Sequence, residues 1–466
     1  MTKRPVRETP PSSVSAFGRS TFSHKGRRKG WAQLSHSILL PLWEKVPEGR
    51  MRGEPRTRLA MLFAGVALTL LASAGAAEAK VKLPAASTNP ALAAAPAQTV
   101  KVGYLGLTND PRNAADLAYT DIQLAPPDDP ITGAQMGFAD EAIVASGNGF
   151  TIKMDAEKAA DIADLVAKVK AMAAGGERFI ILDLPDDLVD QLAAQTKDLP
   201  VTLVNASAHA DFLRDRCYPN LLHTAASDRM LEDALVQYLK TRNWNKVLVL
   251  VGGLPRDKAI ADAFKTSAAR LRLQIVDTRT FTLSRTPDSQ ENNDALLVTG
   301  GTDYDVVFVA DSEGEYARYL PYSTQLPRPV VGSSGLMPAE WHWSWDRDGA
   351  TQVTSRFLKA TDRRREMTGA DWSTWMAAKA IADAYGRAPD VSDPDKIDQY
   401  LRSDDLKLDG AKGYALNFRP WDGQLRQPLV LSTDNAVIAS PPLPGFLHQT
   451  NDLDTLGEDE PEHKCQ

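Results

Sequence analysis

The sequence predicts an α/β protein with two doubly wound, Rossmann-like lobes, each built on a mostly parallel sheet. The first observation is a strand–helix–strand–helix–strand unit at residues 220–281, where apolar strands alternate with amphipathic helices. The second is a similar alternation at residues 100–205. The third is the length of 466 residues, which exceeds the size at which a single core keeps growing.

Residues 220–281 carry the clearest periodic signal. From Met230, apolar side chains recur at i, i+1, i+4, i+5 and i+9, which predicts a helix at 227–242. From Ile260 they recur at i, i+3, i+4 and i+8, which predicts a second helix at 256–272. The strand between the two helices is apolar on both faces, as expected for a parallel sheet that helices cover on both sides.

The same helical periodicity and the same apolar strand runs predict the other elements. The alternation of strands and helices implies right-handed crossovers. In the first lobe we expect strands at 100–106, 150–154, 179–184 and 201–205, with helices at 131–146, 159–174 and 188–196. The second lobe continues from strands at 220–223, 246–251 and 274–281 with helices at 293–299 and 314–320 and strands at 306–311 and 329–332. Helical runs at 352–367 and 372–386 and strand-like runs at 414–418 and 428–432 follow.

The N-terminal region predicts export. Residues 51–79 combine a basic start, an apolar core at 59–71 and a small-residue site that predicts cleavage after Ala79. The apolar core is shorter than the roughly 20 residues of a membrane span, which favours a cleavable signal over an anchor. Residues 1–50 are interpreted as a mis-annotated start, with Met51 as the true one, or as a disordered leader. Residues 80–98, rich in Ala and Pro, predict a flexible linker.

The charge of the predicted exported chain is acidic. Residues 1–79 carry 13 basic and 5 acidic side chains, so the net charge of −7 leaves a formal charge of about −15 from Lys80 onward. An acidic balance of this size argues against a nucleic-acid partner.

A sequence stretch at the end of the first lobe resembles a known family. Val-Thr-Leu-Val-Asn-Ala-Ser-Ala-His-Ala-Asp-Phe-Leu at 201–213, with Asn-Leu-Leu-His-Thr-Ala-Ala-Ser-Asp at 220–228, resembles the crossing region of type I periplasmic binding proteins of the branched-chain amino-acid class. The resemblance covers about residues 99–440. It implies two lobes joined by a hinge, a cleft that closes on a small-molecule ligand, and docking on an ABC permease in the inner membrane.

The same resemblance implies a division of the chain into lobes. The N-terminal lobe would comprise 99–223 and 352–421, and the C-terminal lobe 224–351 and 422–445. Residues 446–466 would form a C-terminal tail.

A narrower resemblance lies near the C-terminus. Residues 418–427 and 445–457, with a Cys close to the end, resemble the ABC-transporter binding proteins that occur with pyrroloquinoline-quinone (PQQ)-dependent alcohol dehydrogenase systems. This implies the substrate-binding component of a transporter linked to alcohol oxidation. The alternative is a periplasmic scaffold or delivery factor that transports nothing and binds a quinoprotein dehydrogenase.

Candidate ligand contacts are the residues that follow the strands, because ligands of open α/β sheets bind outside the carboxyl ends of strands. Alternative roles remain open, since Asn205, Ser207 and Ser312 are typical helix-capping residues and Asp183 precedes a proline turn. The candidates are Asp183, Leu184, Asn205, Ser207, Ala208 and His209 in the first lobe, and Asp311, Ser312, Ser333 and Ser334 in the second.

The chain departs from the amino-acid binders of this class at two matched positions. Those proteins use an acidic side chain of the second lobe for the ligand's ammonium group and an aromatic one beside it. Here Ser334 matches the acid, and Ser312 or Glu313 matches the aromatic. The departure argues against an amino-acid ligand.

Other motifs favour structural roles. The Gly252-Gly253 turn has neither dinucleotide-fold nor P-loop spacing, and Gly-Ser-Ser-Gly at 332–335 is not a nucleophile elbow. No HExxH motif or Cys/His cluster predicts a metal site, and we expect neither a cofactor nor an enzymatic activity. The Trp residues at 341–345, with Trp372 and Trp375, would either stack on a planar ligand such as a quinone or fill the interior.

Cys217 and Cys465 are the two cysteines of the chain, and both lie beyond the predicted signal segment. In an oxidising compartment we expect a disulfide that ties the tail to the crossing region, with free thiols as the alternative.

Overall fold

A computed structural model of the chain describes residues 98–113, 129–282, 293–388, 390 and 393–465. The predicted leader and signal segment, and all but the last residue of the predicted linker, lie outside the described residues. Among the described residues, no helix has the length and apolarity needed to cross a membrane.

The first lobe is a five-stranded parallel sheet with helices on both faces. Side chains along its strands point alternately to the two faces of the sheet. Val102 and Ile181 pack against one helical layer, whereas Leu105 and Ile180 pack against the other. The strand order is β2-β1-β3-β4-β5, with β1 Gln98–Leu107, β2 Phe150–Ala159, β3 Phe179–Leu182, β4 Thr202–Asn205 and β5 Leu221–His223. Its helices are α1 Ile131–Gly147, α2 Ile162–Gly175, α3 Asp186–Thr196 and the short α4 Phe212–Asp215.

The second lobe repeats this plan with four parallel strands. Val249 and Phe308 face one core, and Leu248 and Val309 face the other. The strand order is β7-β6-β8-β9, with β6 Lys246–Val251, β7 Gln274–Thr280, β8 Val306–Ala310 and β9 Val330–Gly332. Its helices are α5 Asp228–Thr241, α6 Pro255–Arg270, the short α7 Ala295–Val298 and a 3-10 turn, Ala317–Tyr322.

The C-terminal third contributes to both lobes. Gly133 and Gly137 of α1 let the helix at 369–387 approach closely, because a Cβ at these glycines would lie 2.1 Å from the Asp371 carbonyl oxygen and 2.7 Å from the Ala378 Cβ. The elements are α8 Ala350–Ala360, α9 Gly369–Arg387, α10 Pro394–Leu401, β11 Leu408–Asp409, β12 Ala415–Leu416, β13 Val430–Thr433, β14 Ala436–Ala439 and a 3-10 turn, Asp452–Thr455. Strands β13 and β14 form a small antiparallel sheet with β10, Met337–Ala339.

Some predicted elements differ from the structure. The strand predicted at 220–223 as the first of the second lobe is β5 of the first-lobe sheet, because it pairs with β4. The helix predicted at 352–367 ends at Ala360, because Asp362 and Arg363 adopt positive φ angles of 52° and 58°. The helix predicted at 314–320 is a 3-10 turn with Pro321 inside it. The strand predicted at 150–154 continues to residue 159, where it pairs with the whole length of β1.

Candidate ligand site at the carboxyl ends of the strands

The first-lobe edge centres on Arg112, which the sequence analysis missed. Its guanidinium donates to Asp183 Oδ1 at 2.8 Å and to Ser207 Oγ at 3.0 Å, and it is also paired with Asp110. Burial alone would lower the pKa of Arg112, but the carboxylates of Asp110 and Asp183 outweigh it and raise the pKa. The side chain is 34% exposed, so one face of this charged group is open to solvent.

A second group of charged residues lies near Arg112. The hydroxyl of Tyr104 donates to Asp129 at 2.8 Å, and Lys158 lies 2.8 Å from the same carboxylate. Burial, followed by the charges of Asp183 and Asp129, raises the pKa of Tyr104 well above its usual value. The tyrosine is therefore a neutral donor that holds Asp129 at the edge of the sheet.

Three predicted first-lobe contacts are part of the interior. Leu184 and Ala208 are buried, and Asn205 is fully buried. The Asn205 side chain accepts from the Ala208 N–H at 2.9 Å, donates to the Ala208 carbonyl at 2.8 Å and contacts His223 Nδ1 at 3.0 Å. Asn205 therefore shapes the loop that presents Ser207, which is the structural role left open by its sequence position.

His209 lies at the passage between the lobes. Its Nδ1 donates to the Ala226 carbonyl at 2.8 Å, and its own carbonyl accepts from the Asp228 N–H at 2.8 Å. Glu340, a buried residue that the sequence analysis also missed, accepts from the Ala226 N–H at 3.1 Å and lies 3.4 Å from His209 Nδ1. These contacts join the first-lobe loop to the N-terminus of α5.

At the second-lobe edge, two predicted residues are held by internal hydrogen bonds. Asp257 accepts from the Ser312 hydroxyl at 2.6 Å and from its N–H at 2.7 Å. Asp311 accepts from the N–H groups of Tyr316 and Ala317, both at 2.8 Å, so it caps the 3-10 turn. Burial and nearby Asp257 raise the pKa of Asp311 in spite of these bonds.

The two serines after β9 differ in their contacts. Ser333 Oγ accepts from the Asp311 N–H at 2.9 Å. The Ser334 hydroxyl is half-buried and makes no hydrogen bond to a residue in the described part of the chain. Among the described residues, Ser334 is therefore not committed to another polar group.

Glu313 is a further polar side chain at the second-lobe edge. It is half-buried, and burial and the charges of Asp311 and Asp257 raise its pKa. Within the described ranges no basic side chain forms an ion pair with it. A cation at this edge would therefore be attracted to uncompensated negative charge.

The two edges lie beside each other. Arg256, at the N-terminus of α6, is paired with Asp228 at 2.6 Å. Burial alone would lower the pKa of Arg256. The carboxylate of Asp228, and those of Asp186 and Asp211 in the first lobe, raise this pKa instead. The contacts of Asp228 with Arg256 and with the His209 carbonyl connect the two strand edges.

Asp211 makes this lobe contact sensitive to pH. Its carboxylate accepts from the Arg229 N–H at 2.9 Å, and burial together with Asp228 raises its pKa to about 7. Since the pKa is far lower in the unfolded chain, the folded state binds the extra proton, and this contribution to stability is lost as pH rises from about 4 to about 7. We expect Asp211→Asn to gain stability relative to wild type over this range, by up to about 1.4 kcal/mol per pH unit.

Urea unfolding at several pH values measures this difference. Asp198→Asn, an exposed substitution with the same charge change, is the control and should track the wild type. A constant difference between Asp211→Asn and wild type from pH 4 to 7 would contradict the assignment.

The alternative roles of the glycine and tryptophan motifs are resolved by packing. A Cβ on Gly252 would lie 2.1 Å from Asp257 Oδ2, and this carboxylate already occupies the α6 N-terminus, where a phosphate would have to bind. Four of the tryptophans are buried side chains of the interior: Trp341, Trp345, Trp372 and Trp375. Stacking on a planar ligand is excluded for those four in this conformation.

The tail is fastened to both lobes, and the predicted disulfide between Cys217 and Cys465 is confirmed. Arg270 of α6 donates to the carbonyls of Gly457 and Thr455 at 2.8 and 3.0 Å. The disulfide then returns the chain end to the first lobe beside α4. The tail therefore spans the junction between the lobes.

No protein-family model and no curated protein sequence matches this chain significantly. Its structure is similar to the leucine-, isoleucine-, valine-, threonine- and alanine-binding protein of Brucella ovis in its closed conformation (TM-score 0.59, 11% identity, 74% of this chain and 93% of that one). It is also similar to a branched-chain amino-acid ABC transporter ligand-binding protein of Burkholderia xenovorans (0.58, 15%, 73% and 95%). A periplasmic binding protein of Burkholderia mallei is a third example (0.56, 14%, 79% and 99%). The predicted fold, that of type I periplasmic binding proteins, is confirmed.

Proposed function

We propose that this protein is the substrate-binding component of an ABC transporter, exported to the periplasm, and that its lobes close on a small solute without covalent chemistry. The observation that carries the proposal is the pair of neighbouring strand edges, each with polar groups that are not fully used internally. Arg112 is partly exposed in one lobe, and Ser334 and Glu313 are available in the other. In a type I fold this is where a ligand is enclosed.

The architecture suits hinge closure. Each lobe has its own sheet and its own cores, so each can move as a rigid body. The connection includes the hydrogen bonds of His223 with Gly423 and Leu425 at 2.9 and 2.8 Å, together with the tail that is fastened to both lobes. Hinge closure would therefore have to keep the contacts of the tail with each lobe.

We propose that the ligand carries a cationic group, held in the second lobe by Glu313. The neighbouring carboxylates of Asp257 and Asp311 raise the pKa of Glu313 when the site is empty. A bound cation would lower this pKa again. One of the similar structures is an ABC transporter substrate-binding protein of Desulfitobacterium hafniense in complex with Leu, which carries such a group. Glu313 would then bind the ligand's cationic group, the role that Ser334 cannot perform because it is not acidic.

A thermal-shift screen of the purified chain tests the proposal. The panel contains amino acids, amines, short and aromatic alcohols, the matching acids, and PQQ. A ligand at 100 times its Kd should add about 2.7 kcal/mol to the free energy of unfolding. We expect a shift with a cationic or zwitterionic solute, and a loss of affinity of at least tenfold in Glu313→Gln and in Arg112→Gln.

Arg242→Gln, at the opposite end of α5, is the matched control and should bind as the wild type does. A panel without any stabilising compound would contradict solute binding altogether. A strong ligand whose affinity is unchanged in both site variants would place the site elsewhere.

We extend the proposal to an association with a PQQ-dependent alcohol oxidation system, supported by the resemblance of residues 418–427 and 445–457 alone. Co-purification of a quinoprotein dehydrogenase from periplasm tests it. Recovery of the dehydrogenase without any small-molecule ligand would favour the scaffold or delivery role. If neither a dehydrogenase nor an alcohol-derived ligand is recovered, the association with alcohol oxidation is contradicted. The proposal of a transporter component is then unaffected.

A further inference from the structure

The tail brings a histidine against the disulfide. His463 Nε2 lies 3.1 Å from Cys217 Sγ, and ligand atoms of Cys217, His463 and Cys465 all lie within 4.8 Å of one another. The sequence shows no such cluster because Cys217 is 246 residues away from His463. The sequence neighbours His463 and Cys465 supply only two of the three groups.

The orientation of His463 is set by a carboxylate. Its Nδ1 lies 3.2 Å from Glu458 Oε2, so the Nδ1 proton is donated to Glu458. In the neutral ring this leaves the lone pair of Nε2 directed at Cys217 Sγ. A carboxylate behind an imidazole is the arrangement that orients histidine ligands of metal ions.

Two carboxylates lie beside the histidine. Oxygens of Asp215 and Glu458 lie within 4.8 Å of each other and of a His463 nitrogen, in a group separate from that of the two cysteines. The cysteine group itself offers two sulfurs and one imidazole nitrogen from two distant parts of the chain.

We propose that Cys217, Cys465 and His463 form a redox-gated site for a thiophilic divalent cation such as Zn²⁺. In the oxidised protein the sulfurs are joined and the site is closed. A dithiol reductant gives two electrons and two protons to the disulfide, which becomes two thiols, while the reductant becomes a disulfide. The cation then displaces the two thiol protons and is bound by two thiolates.

The distances fit this change with a small movement. Tetrahedral zinc has Zn–S bonds of about 2.3 Å and Zn–N bonds of about 2.0 Å, so bound S and N atoms lie about 3.5 Å apart. The observed 3.1 Å between Cys217 Sγ and His463 Nε2 needs to lengthen by only a few tenths of an ångström. Cys465 is exposed, so its sulfur can separate from Cys217.

Reduction does not release the tail, because other contacts hold it. Leu456 is fully buried in the second-lobe core, and Asp454 is paired with Arg419 at 2.8 Å. Arg229 is paired with Glu458 and Glu462, which precede His463 in the tail. His463 thus stays beside Cys217 when the sulfurs separate.

Zinc titration of the full chain against a chromophoric competitor tests the site, with the protein oxidised or reduced anaerobically by a phosphine, which does not bind zinc through sulfur. We expect one Zn²⁺ per reduced chain and at least 100-fold weaker binding by the oxidised chain. Cobalt substitution should give a thiolate charge-transfer band that is about halved in Cys465→Ser. His463→Ala should weaken binding at least tenfold, whereas His448→Ala, another tail histidine paired with Asp459, should not.

Equal zinc affinity of the oxidised and reduced proteins would overturn the proposal, and this comparison requires no variant. Equal affinities of His463→Ala and His448→Ala would remove His463 from the site. Far-ultraviolet circular dichroism of the reduced chain is the further check, because loss of the fold on reduction would contradict the independent anchoring of the tail.

Discussion

Replacing Asp454 by alanine is expected to lower the free energy of unfolding by about 3–5 kcal/mol. Asp454 is 1% exposed and accepts from Arg419 Nε at 2.8 Å and from Arg426 Nε at 2.9 Å. The two guanidinium groups are themselves buried, at 2% and 7% exposure. Without Asp454, Arg426 would remain in the interior with an uncompensated charge, because water cannot reach it.

Urea unfolding, with the midpoint and slope fitted separately, measures this effect. Glu460→Ala removes an exposed carboxylate of the same tail and should change stability by no more than about 0.5 kcal/mol. Equal effects of the two substitutions would show that the buried ion cluster does not hold the tail.

Gly332→Ala should cost about 4 kcal/mol, since it combines backbone strain with overpacking. Gly332 ends β9 with a φ of +103°, which an L side chain rarely adopts, and a Cβ there would lie 2.4 Å from the Val309 carbonyl oxygen. That carbonyl belongs to the neighbouring strand β8 and cannot move without disturbing the sheet. The substitution should therefore also disturb Ser333 and Ser334 and weaken ligand binding.

Gly301→Ala separates the two causes. Gly301 also has a positive φ, +74°, but a Cβ there would meet no atom within 4 Å. It should cost only the strain, about 1–2 kcal/mol. Thermal or urea unfolding measures the loss in the free energy of unfolding of the two variants. Equal losses would contradict the packing argument.

Local sequence patterns predicted the parallel lobes well because the apolar pattern of each strand and helix indicates which of its faces is buried. Strand 246–251 was predicted with the observed bounds, since an apolar run between two amphipathic helices has few alternatives. Helix bounds were less accurate where single backbone angles decided them, as at Asp362 and Arg363. The strand Met337–Ala339 was missed because it is short and includes a proline, and only its partner β13 makes it a strand.

The position of the candidate site stays a prediction, whereas the contacts of its residues come from the structure. The rule that ligands bind beyond the carboxyl ends of strands led to Asp183, Ser207 and Ser334. It could not reveal that Asn205 is used inside the protein, because its partners Ala208 and His223 lie in a loop and in the next strand. Nor could it find Arg112, whose partner Asp183 is 71 residues away.

The sequence by itself determined the alternation of strands and helices, the division into two lobes and the presence of two cysteines able to pair, because these properties depend on local periodicity and composition. Tertiary structure alone decided which polar side chains are used internally and which remain available, and it brought His463 to Cys217. The physical reason is that hydrogen bonds and ion pairs between distant segments depend on how the lobes and the tail pack, and no local pattern of residues encodes those distances.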